Sequence, residues 1–252
     1  MTVSTPLPRS DPSRSDEEPG PPATLKAGSG AAAWRGLRPD RFVRRLVQLN
    51  VGLLLYGMST ALLLRAGLGV DPWTALHQGL AGVLGLSVGN VSIVVSLLVL
   101  LLWIPLRQRP GIGTLLDAVV VGLVTDATLA VCPRAEGLWA QGGLLGAAVL
   151  LNAVATACYL GAGLGAGPRD GLMTGLAARG HSLRATRTVI ELSALGAGWL
   201  LGGPVGVGTI AYAVLIGPLA QIFIPRLAIR PPRAFDGGAP VGEPADSAPV
   251  GT

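Results

Sequence analysis

The sequence predicts an all-α, polytopic helical membrane protein made of two inverted repeats, each with three transmembrane helices and one short amphipathic or re-entrant helix. Three observations carry that reading. Half of the 252 residues are hydrophobic and only 13% are charged, where a soluble globular domain has about 25% charged residues; most of the chain is therefore suited to lipid rather than water. The charges are also segregated. Residues 1–45 hold eight of the nineteen basic groups, while the long stretch 46–225 holds eight arginines and six acids. Finally, AGLGVDPWTALHQGLA (66–81) recurs as AGLGAGPRDGLMTGLA (162–177), and GIGT (111–114) recurs as GVGT (206–209). Glycines and prolines keep their order and spacing over most of a unit of roughly 95 residues, the mark of an internal duplication.

The elements follow in order. Residues 1–40 are expected to be a disordered cytoplasmic tail, because a stretch such as SDPSRSDEEPGPP has too little apolar surface to offset chain ordering. No apolar core follows a short basic start, so no cleavable signal peptide is expected. Arg35, Arg38, Arg41, Arg44 and Arg45 lead into a first span, 46–64, long enough for a hydrocarbon core of about 30 Å. A short helix (72–84), a second span (88–106) and a third (112–131) complete membrane repeat 1, residues 41–135. Repeat 2, residues 136–228, follows the same plan with spans at 140–161, 185–202 and 208–224 and a short helix at 168–178. The short helices cover roughly 20 Å at most, too little to cross. In the first, Trp73, Leu76, Leu80 and Leu84 face one way and Thr74, His77 and Gln78 another. Residues 229–252 read as a second disordered cytoplasmic tail.

Arginine placement sets the count of crossings. With six spans, Arg107, Arg109, Arg169, Arg179, Arg184 and Arg187 are cytoplasmic and only Arg65 and Arg134 lie outside, as the positive-inside rule asks. Crossing short helices would put four of those eight outside. Three spans per unit is odd, so the copies face opposite ways and both termini are cytoplasmic, an arrangement typical of secondary transporters. Trp103, Trp139 and Trp199 fall near span ends, as interfacial anchors do.

The candidate site residues come from the glycine–proline stretches and from polar positions inside spans. Gly67, Gly69, Gly163 and Gly165 permit backbone conformations closed to other residues, and the prolines after them suit the first turn of a helix. Unwound backbone at membrane depth is tolerated only where protein buries it or water lines it. Two readings stay open: a substrate or ion site at paired broken helices, or an interfacial turn that re-aims the chain. Asp71, three residues before Thr74, is placed to cap the first short helix. Arg169 and Asp170 stand where the first copy has Trp73 and Thr74; Arg169 either holds a carboxylate or phosphate or is a cytoplasmic charge paired with Asp170. Ionisable groups inside spans are costly, which singles out Asp117, Asp126 and Glu191. Glu191 follows Arg187 by one turn and is expected to pair with it. Aligning the copies sets Asp117 on Tyr212, Asp126 on Gln221, Tyr56 on Asn152, Thr60 on Thr156 and Thr114 on Thr209. Polar residues landing on polar equivalents suggest a shared interior face, with interhelical hydrogen bonding as the structural alternative.

Other classes are disfavoured. The pI near 10 comes from arginines at span ends, with a single lysine, Lys26; no basic stripe alternates with aromatics, so nucleic acid is not an expected partner. His77 and His181 have no metal-ligand spacing with each other or with the acids, and Cys132 and Cys158 are expected as free thiols. HExxH, GxSxG, CxxC and the phosphate-loop pattern GxxxxGK(S/T) are absent. No enzymatic activity, catalytic residue, metal or cofactor is therefore expected.

The stretches GLGVDPWTALHQGL and GAGPRDGLMTGL, followed by RTVIEL and GGPVGVGT, resemble the YczE/YitT family of bacterial integral membrane proteins. The resemblance spans about residues 45–225 and is most specific from Gly165 to Leu172. It implies this architecture and a bacterial plasma (inner) membrane, and supplies no substrate or site residue. Two classes of function follow. One is a small transporter- or permease-like protein, with lipid around it and a small solute or ion held between the repeats. The other is a non-transporting accessory or scaffold that binds a membrane protein partner or another copy; the four-residue spacing of Ala194, Gly198 and Gly202 allows close helix contacts, within the protein or with a partner, and the basic loop Arg179–Arg187 suits a protein or anionic headgroups.

Overall fold

The computed structural model describes residues 39–229, so the expected tails lie outside the described residues, apart from their innermost positions. Eight α-helices and no strand occur among the described residues: α1 (Pro39–Ala66), α2 (Pro72–Leu84), α3 (Val88–Leu106), α4 (Ile112–Val131), α5 (Leu138–Ala162), α6 (Pro168–Ala177), α7 (Leu183–Leu200) and α8 (Val207–Leu227). Five of them, α1, α3, α4, α5 and α8, are long and apolar enough to cross a membrane. The sixth expected span, α7, has 18 residues but carries Arg184, Arg187 and Glu191, which take it below that standard. Large apolar residues cover the outside, among them Leu98 and Leu101 on α3 and Ile210 and Val214 on α8. Lipid accepts such a surface where water would not.

α1 and α5 form the most extensive pairing and make the central layer. Their packing is close because the facing residues are small. A Cβ on Gly52 would stand 2.8 Å from the Tyr159 nitrogen, and Ala155 is fully buried in the same cluster as Leu49 and Leu53. Seven residues further along α1, Ser59 meets Asn152, so the two helices run antiparallel. The other pairings come in matched sets: α4 packs on α1 as α8 packs on α5, and α2 packs on α7 as α6 packs on α3. One match is missing. α3 and α4 share a broad interface, while α7 and α8 have none comparable.

The recurring motifs meet across the two copies. The Gly113 nitrogen, at the start of α4, donates to the Leu164 carbonyl (3.1 Å), and the Gly208 nitrogen, at the start of α8, donates to the Leu68 carbonyl (2.7 Å). Thr114 and Thr209 each accept from the nitrogen three residues back, Gly111 and Gly206. Gly69 (φ 114°) and Gly165 (φ 138°) face these starts so closely that a Cβ would come within 2.8 Å of Thr209 Oγ1 or Thr114 Oγ1. Each G-x-G-T helix start thus clasps the other copy's glycine–proline stretch. Backbone groups that lipid would leave unpaired are paired there.

The clasp leaves α2 beginning in the middle of the molecule, with Asp71 beside Arg169. It ends near Asp126, through Ser87, close to where α1 also finishes with Arg65 bonded to the Leu129 carbonyl. The chain dips inward after α1 and returns to the same end. The amphipathic reading of α2 needs correction. Thr74, assigned to the polar face, is buried at 4% exposure, and Leu84, assigned to the apolar face, is 56% exposed. A helix surrounded by protein at its start and by lipid at its end has no single wet face.

Candidate functional site

The first turns of α2 and α6 meet where α1 and α5 cross, and the polar residues gather there. Arg169, in the first turn of α6, stands over the Tyr56 ring, 5.1 Å from its centroid. Its guanidinium reaches Asp71 at 3.6 Å. Asp71 also caps α2, accepting from the Thr74 nitrogen at 3.3 Å, as expected. Burial raises its carboxyl above the usual value, against the pull of those donors. The local pairing of Arg169 with Asp170 is not made. Consecutive residues on a helix point apart, and Asp170 instead accepts from the Tyr159 hydroxyl.

Asp117 reaches the same place from α4. Its Oδ2 and that of Asp170 stand 3.0 and 3.5 Å from where a Cβ on Gly167 would be. Gly167 is the N-cap of α6 and offers no side chain of its own. The partial positive charge of that helix start favours both carboxylates. No hydrogen bond or ion pair reaches Asp117 among the described residues. Tyr212, its counterpart in the second copy, donates to Asn152 Oδ1 (3.0 Å), and Asn152 Nδ2 donates to Ser59 Oγ (2.8 Å). Glu191 pairs with Arg187 at 2.9 Å, as its spacing predicts.

Two chambers flank this cluster and share Tyr56, Trp73 and Arg169 as a partition. One, against α3 and α4, is a cavity of about 50 Å³ faced by Asp117 and Thr60. The other, against α7 and α8, is a cleft of about 560 Å³ faced by their counterparts, Tyr212 and Thr156. The difference follows from the missing helix pairing. On the α3–α4 side a Cβ on Gly122 would meet the Gly89 carbonyl at 2.6 Å, and Asp126 ties the seam by accepting from Ser87 Oγ (2.6 Å) and the Gly89 nitrogen (2.8 Å). On the other side Gly217, at the place of Gly122, has nothing within 4 Å, and Gln221, at the place of Asp126, lines the cleft.

Gly67, Gly69, Gly163 and Gly165 form the turns and clasps, and Asp71, Trp73, Arg169 and Asp170 after them line the chambers. Trp103 is no interfacial anchor: it is 4% exposed, its Nε1 donates to the Pro168 carbonyl (3.0 Å), and its ring fills the space a side chain on Gly171 would take. Trp139 and Trp199 are exposed, as anchors are. Ala194 and Gly198 pack inside the chain against α2, where a Cβ on Gly198 would be 2.5 Å from the Leu76 nitrogen. Sequence reasoning also passed over Trp73 and His77. The Trp73 Nε1 and His77 Nε2 atoms are buried without a hydrogen-bond partner among the described residues, and both residues line the small cavity. Burial pushes His77 down to about 4. The available signal was two polar rings one turn apart on a helix too short to cross. No group of three or more His, Cys, Asp or Glu side chains able to hold a metal occurs among the described residues.

Taken together, the apolar surface, the five long helices and the internal matching define a helical membrane protein with a polar cluster at its centre. The chain belongs to the family described as "Family of unknown function (DUF6198)", whose model matches residues 43–225. It is 39% identical to an uncharacterized protein of Haemophilus influenzae over 184 residues, 73% of this chain and 84% of that one. It is 34% identical to the uncharacterized membrane protein YczE of Bacillus subtilis, covering 69% of this chain and 81% of that one, in agreement with the resemblance read from the motifs. The uncharacterized protein YyaS of the same organism is 29% identical, over 70% and 90% of the two chains. No solved structure matches the chain.

Proposed function

We propose that the protein is a small permease-like carrier, in which two inverted units expose one central polar site to opposite sides of the membrane in turn. The observation that carries this reading is the unequal state of matched parts: a chamber of about 50 Å³ beside the packed α3–α4 seam and one of about 560 Å³ beside α7 and α8, which share no comparable seam. Equivalent helices α1 and α5 run antiparallel, which supports inversion of the units. In an inverted pair, closing one seam while the other opens converts one face's access into the other's. With the arginine-rich ends placed in the cytoplasm, the open cleft faces inward, the α3–α4 seam is the outer gate, and both termini are cytoplasmic in a bacterial inner membrane.

The accessory role has less support. The small-residue spacing that favoured it is occupied within the chain by α2 at Ala194 and Gly198.

Cysteine labelling tests the exchange. In a background with Cys132 and Cys158 replaced, Gly217→Cys should label only from the cytoplasmic side. Adding Gly122→Trp, which wedges α3 from α4, should protect Gly217→Cys and let Asp117→Cys label from outside. Labelling of Gly217→Cys that ignores the wedge would sink the alternation.

A further inference from the structure

We propose that a second site, separate from the central cluster, binds a phosphate group at one surface of the molecule, in a basin between the ends of α1 and α4 and the start of α5 that Arg65, Arg134, Gln78 and Gln141 line. Carrier activity is not required for it.

Placement comes first. From Arg45 to Arg65 helix α1 rises about 30 Å, the thickness of a hydrocarbon core, so the end of α1 stands at the membrane surface opposite its arginine-rich start. The basin there holds about 510 Å³. Its two arginines are the pair that the positive-inside rule leaves on this side, and the fold brings them to one place. The Ala135 nitrogen, next to Arg134, donates to the Arg65 carbonyl (3.1 Å).

The charge there is one-sided. No acid lines the basin. Arg134 is exposed and makes no ion pair or side-chain hydrogen bond among the described residues. Arg65 donates to the Leu129 carbonyl and likewise has no ion pair. The nearby acids do not offset them. Asp126 lines an adjoining recess and already accepts from Ser87 Oγ and the Gly89 nitrogen. Glu136, just past Arg134 in the chain, is exposed and outside the lining. Two guanidinium groups on one recess repel each other unless an anion lies between them.

The second copy shows that the fold does not itself call for this arrangement. Gly161 stands where the first copy has Arg65. The same backbone closure is made there, from the Ile229 nitrogen to the Gly161 carbonyl (3.2 Å), and a Cβ on Gly161 would meet the Leu227 carbonyl at 2.7 Å. Packed backbone fills at one end what an arginine-lined basin leaves open at the other.

The donors fit a phosphate better than a carboxylate. Guanidinium groups hold either in two-point contact, but the Gln78 and Gln141 amides add further donors, neither engaged among the described residues. A phosphate ester presents three acceptor oxygens, enough to engage both arginines and an amide together. The volume also leaves room for the group that the phosphate esterifies. A lipid headgroup and a soluble ester both bring that chemistry to this surface.

The test uses the purified full-length chain in a sugar-headed detergent, which brings no phosphate of its own. Inorganic phosphate, glycerol 3-phosphate and phosphatidylglycerol are added separately, with binding read by thermal shift and, for the lipid, by native mass spectrometry. Stabilisation by either soluble phosphate assigns the site to a solute; stabilisation by the lipid alone assigns it to a headgroup. Arg134→Gln should weaken that binding about tenfold, the contribution of one charge-assisted hydrogen bond. Arg109→Gln, an exposed arginine outside the basin, should leave it unchanged. If Arg134→Gln fails to fold, Gln141→Leu, which keeps both charges, must weaken binding in its place. The site is overturned if none of the three binds or if acetate binds as tightly as inorganic phosphate. It is also overturned if Arg109→Gln weakens binding as much as Arg134→Gln, since net charge alone would then account for it.

Discussion

Asn152 links three helices through two hydrogen bonds, one from Tyr212 on α8 and one to Ser59 on α1, at 2% exposure. Inside a membrane such bonds average about 0.6 kcal/mol each, and truncation also strands both hydroxyls. Asn152→Ala should therefore cost about 1–2 kcal/mol in unfolding assays, with a smaller loss for Tyr212→Phe, which removes one bond. His77 gives a pH prediction. Its ring is held at about 4 in the folded protein against roughly 6.5 in an unfolded chain. Below 6.5 the unfolded chain binds the extra proton first, so stability present above 6.5 is lost as pH falls toward 4. His77→Gln should flatten the melting temperature over that window; an unchanged slope would mean that the ring is already wet.

The helices show how a duplicated plan can hold two differently packed seams. α3 and α4 touch through Gly89 and Gly122, and a Cβ on Gly89 would stand 2.1 Å from the Gly122 carbonyl. Backbone cannot yield to a methyl group there, so Gly89→Ala should destabilise the protein by about 1–3 kcal/mol or force the seam open, and labelling of Asp117→Cys distinguishes the two. Gly217→Ala meets open space and should leave stability unchanged in the present state. α8 also carries Pro218 beside Gly217, where α4 has Leu123 beside Gly122. Proline removes a helical hydrogen bond and lets a helix bend, and Pro218 stands beside the unpacked seam at Gly217. At the clasps, Gly69→Ala and Gly165→Ala combine a positive φ with a clash against a threonine hydroxyl. Both should impair folding more than substitution at Gly67, which has the same turn role and free space around it.

For the whole molecule, three single cysteines decide between a water path and a sealed core. On the carrier reading, Thr74, Asp117 and Thr174 replaced one at a time should show Asp117 labelled from both sides, Thr74 following the small chamber that it lines, and Thr174, which lines neither chamber, labelled from inside only. If Asp117 labels from neither side, the centre is sealed and a partner-binding role becomes the better account.

Much of this was legible in the chain itself. Helix bounds followed from apolar runs broken by glycine and proline: the expected 72–84, 88–106 and 112–131 coincide with α2, α3 and α4. The duplication was readable as a recurrence of motifs, and the cap at Asp71 and the pairing of Glu191 with Arg187 because each depends on residues close in sequence. What only the tertiary structure decided depends on residues distant in sequence but near in space. That Arg169 reaches Asp71 rather than Asp170, that Trp103 turns inward, and that each copy's G-x-G-T start clasps the other's loop follow from how the units interlock. The open and closed seams lie furthest from the sequence. Gly122 and Gly217 are the same residue in the same motif, and only the neighbouring helix decides whether the space beside them is filled.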